Sequence, residues 1–527
     1  MPKQKPSLLS PIICTHPTLS SQPSPHPSST SSYTRPTLQQ RLAATTSQKP
    51  IDLKSISSKR RRGINPTDDN DNNIREDDEY TFPAPLLLPG DDLTLEEEAP
   101  EEPQSFYDWL HGEHRNEVTS RRKTIYVAAP PGIVVDDDEE GGDIAFMNAW
   151  SIPQKKQKTS KSKSSSGTSQ DIPPPRMEDV LSYIKAFYHG LPVKFLPSDM
   201  LNFVPWETNT TSNTKRAAKS VASSKTKKKK IKNEEPKYIG LTISKAQCIR
   251  IRTRAAPDGL FTRQLNLDDL LDAAISSLPR DAYALVMLLQ HDLYESADDI
   301  FTCGRAYGGS RVAVVSMARY HPNLDGWQNV EREHAWPAAH CEAYMRSCWE
   351  SEEGYATTTT AAANPRKKAK LSATKSKSST ATTAAAAAYK ASSPLHRAVS
   401  AHTSASLSIF HTPSPSTSSL TALWLSRICR TAAHELGHCF GIGHCTYYAC
   451  AMQGSASLSE DARQPPYLCP VDLMKVLYAT GATESERYRM LLRVCGGVVC
   501  GGGGGGGGFF AAFAEWIRAR IGRELVN

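Results

Sequence analysis

Apolar positions gather in a few windows of the 527-residue chain, and their spacing changes from one window to the next. At 124–129 an apolar, β-branched run closes on Pro130 and Pro131, which predicts a short strand. Residues 177–188 repeat apolar side chains at helical spacing, and a strand is expected at 193–196. The window 267–278 predicts a helix, with Asn266 as N-cap ahead of Asp268 and Asp269, whose carboxylates suit a helix N-terminus. The nearly unbroken apolar run at 283–289 predicts a strand buried on both faces. Another strand is expected at 311–317, β-branched and preceded by Gly308 and Gly309. A long helix is expected at 420–440, with Gly441 where helices commonly stop. Strands alternating with helices predict an α/β fold, a sheet packed by helices.

Between these windows the chain is polar and repetitive. Residues 1–104 are rich in Pro, Ser, Thr and charge and are expected to be disordered. An ordered domain is expected over 105–495, starting near Phe106. Low-complexity inserts near 154–170, 208–235 and 354–418 interrupt it, read as surface loops because closure entropy grows slowly with length. A polyglycine linker (496–508) leads to an amphipathic helix at 509–527 carrying Phe510, Phe513, Ile517 and Ile521. That helix is read as loosely tethered, with docking elsewhere or on a partner as alternatives.

Composition sharpens this picture: 39% hydrophobic residues and 36 prolines leave core material for one sizeable domain. The net charge of +7, from 62 basic and 55 acidic residues, hides basic knots at 59–62, 225–230 and 366–370 and acidic stretches at 96–102 and 136–140. Such blocks read as solvated linkers, with nuclear import as an alternative. No aromatics are interleaved for base stacking, so nucleic-acid contact is not expected. No apolar run approaches the ~20 residues of a membrane span, and the N-terminus lacks a signal-peptide h-region. The expectation is an intracellular protein, cytoplasmic or nuclear, without a membrane partner; its oligomeric state is not legible.

Chemistry concentrates between His434 and Asp472. His434 and His438 stand four apart and share one helix face, so both imidazoles can reach one metal ion. Glu435 follows the first ligand, directed toward a bound water. Gly441 permits a backbone turn with positive φ that returns His444 as third ligand. Three neutral nitrogens leave a fourth position open on zinc, the arrangement of a catalytic site. Glu435 then serves as general base in hydrolysis of a peptide bond. An isolated His-Glu-x-x-His arises by chance on ordinary helices; the third histidine at this spacing makes the pattern far more specific. Met452 is read as a hydrophobic floor under the metal, or as ordinary core. Cys445, Cys450 and Cys469 suit a structural zinc site, with Asp472 where a fourth thiol would complete Cys-x-x-Cys. Clustered free thiols without metal are the alternative. Cys439 is read as a small buried hydrophobe.

The run from His434 to Cys445, followed by Cys450, Met452 and Cys469, resembles the archaemetzincin family of metallopeptidases. Weaker likeness extends to 122–126, 270–294 and 301–320. The resemblance implies an α/β zincin-like domain with a mixed sheet, an active-site helix and two zinc ions, one catalytic and one structural. His434, His438 and His444 would match the catalytic ligands, Glu435 the general base, and Cys445, Cys450 and Cys469 three of four structural cysteines. Asp472 departs from the family at the fourth. The resemblance also implies peptide or protein substrates, aminopeptidase action, and an edge strand at 311–317 that pairs with extended substrate. The competing expectation is a non-catalytic, zinc-stabilised peptide-binding or scaffold protein.

Overall fold

The computed structural model describes residues 33–48, 80–95, 102–113, 115–133, 144–154, 171–206, 236–244, 246–345, 347–348, 392–410, 416–501 and 508–524. Most of the expected inserts (155–170, 208–235, 354–391) and the polyglycine stretch 502–507 lie outside the described residues. In chain order the strands are β1 (Thr124–Ala128), β2 (Gly132–Ile133), β3 (Val193–Phe195), β4 (Asn202–Val204), β5 (Tyr238–Ser244), β6 (Gln247–Ala255), β7 (Arg263–Asn266), β8 (Ala282–Leu289), β9 (Asp292–Tyr294), β10 (Gly304–Tyr307) and β11 (Val312–Ser316). The helices used below are α1 (Phe106–His111), α2 (Met177–Phe187), α3 (Leu267–Ser277), α4 (Pro394–Phe410), α5 (Thr417–Cys439), α6 (Leu458–Arg463), α7 (Pro470–Thr480), α8 (Glu484–Gly501) and α9 (Gly508–Glu524).

One sheet runs β10-β11-β8-β1-β3, parallel except for the antiparallel β10–β11 pair. Its central strand β8 is buried along its whole length, as the continuous apolar run predicts. Alternate residues feed two cores. Val286 and Leu288 face α2 and α5, while Leu285, Met287 and Leu289 face α3. Helix α3 begins at the expected cap, Asn266 accepting the Asp269 N–H (3.1 Å). Its far side packs on a second sheet, β2-β4-β5-β6-β7-β9, through Leu241, Ile251 and Leu265. The fold is thus mixed α/β with helices on both faces of the first sheet, as expected. The second sheet has no counterpart in the hydrophobic-pattern reading: β2, β4, β7 and β9 are only two to four residues long, and β6 carries the Arg250, Arg252, Arg254 alternation.

Three expectations need correction. The strand expected at the sheet edge, 311–317, is β11, which is paired on both sides; β10, folded back through Gly308–Ser310, occupies the edge. The C-terminal helix is not loosely tethered. In α9, Phe510, Phe513, Trp516 and Ile517 are fully buried, Trp516 stacks on Tyr467 at 4.4 Å, and its Nε1–H donates to Thr81 O (3.2 Å). Burying such aromatics stabilises by roughly 1.5–3 kcal/mol each, ample to hold the helix in place. Third, residues 394–410, assigned to an insert, form α4, which packs against α9, and parts of the N-terminal region are ordered too. Phe82 lies in the main core against Tyr467 and Trp516.

Candidate active site

Helix α5 starts at Ser416, whose hydroxyl accepts the Ser419 N–H (3.2 Å), and ends as the sequence demands. Gly441 has φ +76°, and the Ile442 N–H returns to Gly437 O (3.2 Å). Carbonyls at this helix end take donors from the 102–116 region. Trp109 Nε1 donates to Phe440 O (2.8 Å), Asn116 Nδ2 to Cys439 O (3.0 Å), and Gln104 Nε2 to Gly441 O (3.0 Å). Gln104 Oε1 also accepts the Gly443 N–H (3.1 Å), so one side chain clamps the turn that delivers His444.

The turn brings the three expected imidazoles together. Ring centroids lie 4.7 Å (His434–His438), 5.4 Å (His434–His444) and 4.9 Å (His438–His444) apart. His434 Nδ1 donates to Ala451 O (2.7 Å) and His438 Nδ1 to Ile442 O (2.8 Å). With protons there, both Nε2 atoms carry lone pairs, and they face each other at 3.0 Å. Tetrahedral nitrogen donors around zinc stand roughly 3.4 Å apart, so this pair needs to part by only about 0.4 Å to match a ligand shell. Burial and the neighbouring imidazoles hold His434 well below the usual histidine range, keeping it neutral. The three residues fit zinc.

Beside them a cavity of about 720 Å³ opens along the edge strand, from Phe301 to Ala306. Glu435 lines it. Gly304 of β10 leaves room for this carboxylate: a Cβ there would stand 3.3 Å from Glu435 Oε1. Burial pushes Glu435 up to about 7, against the opposing influence of His444 and Arg305. Met452 is fully buried directly beneath Gly437, where a Cβ would stand 2.7 Å from Met452 Cε.

Cys445, Cys450, Cys469 and Asp472 form a second, closed cluster, all four buried and their donor atoms within 4.8 Å of one another. Cys445 and Cys469 sulfurs are 3.5 Å apart; Cys450 and Cys469 each donate to Asp472 Oδ2 at 3.4 Å. Burial penalises the thiolate throughout, yet hydrogen bonds from Cys450 and Cys469 bring Cys445 well below an ordinary thiol, while those two are pushed up. Burial and Cys445 raise Asp472 to about 6, against Lys475. Asp472 thus stands in the fourth position of the cluster. Cys439 lies apart from the cluster, fully buried in the core.

Sequence reasoning missed three residues around these sites. Lys475 Nζ donates to Asp472 Oδ1 (2.9 Å) and to Gln104 Oε1 (2.9 Å), joining the closed cluster to the turn before His444. Its spacing of three from Asp472, after Pro470 at a helix start, is a legible sign of that ion pair. Gln104 and Asp92, the latter on the cavity wall, come from stretches with no such sign.

Residues 400–477 match the family model described as peptidase family M54. Archaemetzincin-2 of Homo sapiens is 47% identical over 74 residues, 14% of this chain and 21% of the relative. Archaemetzincin-1 of Homo sapiens is 41% identical over 71 residues, 14% of each chain. These alignments therefore span about a fifth or less of the curated relatives' length. The crystal structure of archaemetzincin from Methanopyrus kandleri aligns over 69% of this chain and 99% of its own, at 13% identity and a TM-score of 0.26. The 400–477 stretch is thus similar to peptidase family M54 and to the archaemetzincins, and it includes both clusters.

Proposed function

We propose that the chain is an archaemetzincin-type zinc metallopeptidase that hydrolyses peptide bonds of peptide or protein substrates. The observation behind the reading is the convergence of three imidazoles with one buried carboxylate on an open cleft. His434, His438 and His444 would hold the catalytic zinc, and Cys445, Cys450, Cys469 and Asp472 a structural one. Zinc supplies Lewis acidity there, acidifying water and polarising a carbonyl. Glu435, poised near neutrality, accepts the proton of the attacking water and passes it to the leaving amine. The exposed backbone of β10 offers ladder hydrogen bonds to an extended substrate beside Glu435. Aminopeptidase action, the finer reading, suits a cleft whose wall carries Asp299, a carboxylate that can face a substrate ammonium. The described cysteines are free thiols, which suits a reducing, intracellular compartment.

The test compares the zinc-loaded wild type with Glu435→Gln on aminoacyl and peptide reporters. Turnover falls by about 10²–10⁴-fold in the variant if Glu435 moves the proton. Equal rates, or no turnover by either protein with zinc bound, would instead favour the non-catalytic scaffold. Reporters with a blocked N-terminus separate exopeptidase from endopeptidase action.

A further inference from the structure

Asp92 lies on the cleft wall although it belongs to residues 80–95, far upstream of the imidazoles and outside the M54 match. Its place is fixed from behind. The Asp92 N–H donates to Glu460 Oε2 (3.0 Å), which also accepts the Ala456 N–H (2.7 Å). One residue earlier, Asp91 pairs with Arg463 (2.6 Å) and accepts the Leu88 N–H (2.9 Å). Both members of that pair are buried, so its geometry is enforced by packing as well as charge. The segment is thereby pinned to α6.

Pinned this way, Asp92 meets Gly454. A Cβ at Gly454 would collide with Asp92 Oδ2 and stand 3.1 Å from His444 Nδ1. One carboxylate oxygen and Nδ1 of the third imidazole therefore border the same small space, left open by a glycine. The other two imidazoles turn Nδ1 to backbone carbonyls, of Ala451 and Ile442. Asp92 is not among the donors grouped with the three histidines, so it is a neighbour of His444 rather than a fourth member of the set.

We infer that Asp92 is a positioning residue for His444: its carboxylate accepts a hydrogen bond from Nδ1–H and thereby turns Nε2 toward the metal. The inference rests on reading the imidazole triad as a zinc site. A carboxylate in this role fixes the tautomer and ring orientation and strengthens the ligating nitrogen, more than a neutral carbonyl does. Substrate-site geometry would then depend on a segment upstream of the M54 match.

The experiment uses the full chain with Asp92→Ala and Asp92→Asn, loaded with Zn²⁺ or Co²⁺. Release of zinc from the triad to a chelator is followed by elemental analysis, together with the visible bands of the Co²⁺ form. Asp92→Ala should release its triad zinc about 10–100-fold faster than wild type, the range of outer-shell carboxylates. Asp92→Asn keeps an oxygen acceptor without the charge and should fall between, with shifted Co²⁺ bands and an unchanged thermal midpoint. Release from Asp92→Ala within about twofold of wild type overturns the inference, being far below that range. Should the alanine variant fail to fold, the near-isosteric asparagine decides, and wild-type Co²⁺ bands in it overturn the inference. Metal release does not depend on turnover, so a protein that proves inactive still answers this question. A wild type that takes no metal at the triad refutes both readings.

Discussion

His444 and Cys445 are neighbours in sequence, yet they serve two clusters of opposite character. The imidazole triad is half-buried and borders a cavity of about 720 Å³. The Cys445-Cys450-Cys469-Asp472 cluster is sealed, with relative exposures of 3% or less. One cluster has three donors and an approach; the other has four donors and none. That difference separates a site able to admit a reactant from one able only to hold chain together. What the closed cluster holds is the 445–452 loop, whose Ala451 carbonyl orients His434 and whose Met452 supports α5. The closed site is thus part of the open site's frame.

The strongest way to break this division of labour is Asp472→Ala. The substitution leaves Lys475, 1% exposed, without its carboxylate partner and with Gln104 alone as acceptor. Removing one member of a buried pair costs about 3–5 kcal/mol, read by urea unfolding. Lys475→Met added to Asp472→Ala should recover part of that loss, since two apolar groups leave no stranded charge. If Asp472→Ala unfolds at the wild-type midpoint, the closed cluster does not brace the fold.

Legibility in the sequence followed the same division. The triad could be read because helical periodicity and one glycine dictate where four side chains go: His434, His438 and Glu435 from α5, His444 from the turn. β8, α2 and α3 were legible for the like reason that each buries a regular apolar face. The edge strand was not. Gly304–Tyr307 is four residues with no apolar run, and its place beyond β11 is decided by hairpin pairing rather than pattern. Likewise α9 reads as an amphipathic helix, but its docking on α4 and Phe82 joins segments distant in sequence. Gln104 makes scattered hydrogen bonds with Gly441, Gly443 and Lys475, and Asp92 a close approach at Gly454, contacts that leave no periodic trace.

A smaller effect sharpens the contrast by moving both clusters at once. Met452 bridges them: its N–H meets Cys450 Sγ (3.5 Å), its carbonyl accepts the Cys445 N–H (2.8 Å), and its thioether lies under Gly437. Gly437→Ala gains about 1 kcal/mol in helix propensity but overpacks a fully buried methionine, whose thioether end must move aside within the core. The expected balance is a loss of roughly 1–2 kcal/mol of stability, with faster zinc release from both clusters. A stabilised variant with unchanged metal release would show that the two clusters are mechanically independent.

The mildest test uses pH on the side chain that seats Asp92. Burial first, and Asp91 nearby, push Glu460 up to about 8, against backbone hydrogen bonds and Arg463. An unfolded chain releases that proton near the ordinary value of 4.5. Between those values the folded state holds a proton that the unfolded state has lost, so this group's contribution to stability falls as pH rises through the window. Glu460→Gln keeps an amide oxygen for the Asp92 and Ala456 N–H groups and cannot titrate. Urea unfolding of both proteins from about pH 5 to about pH 8 should therefore show a shallower decline in the variant. Parallel profiles would mean that Glu460 is already ionised in its socket, and that the support beneath Asp92 is a charge held by the two N–H donors rather than a shared proton.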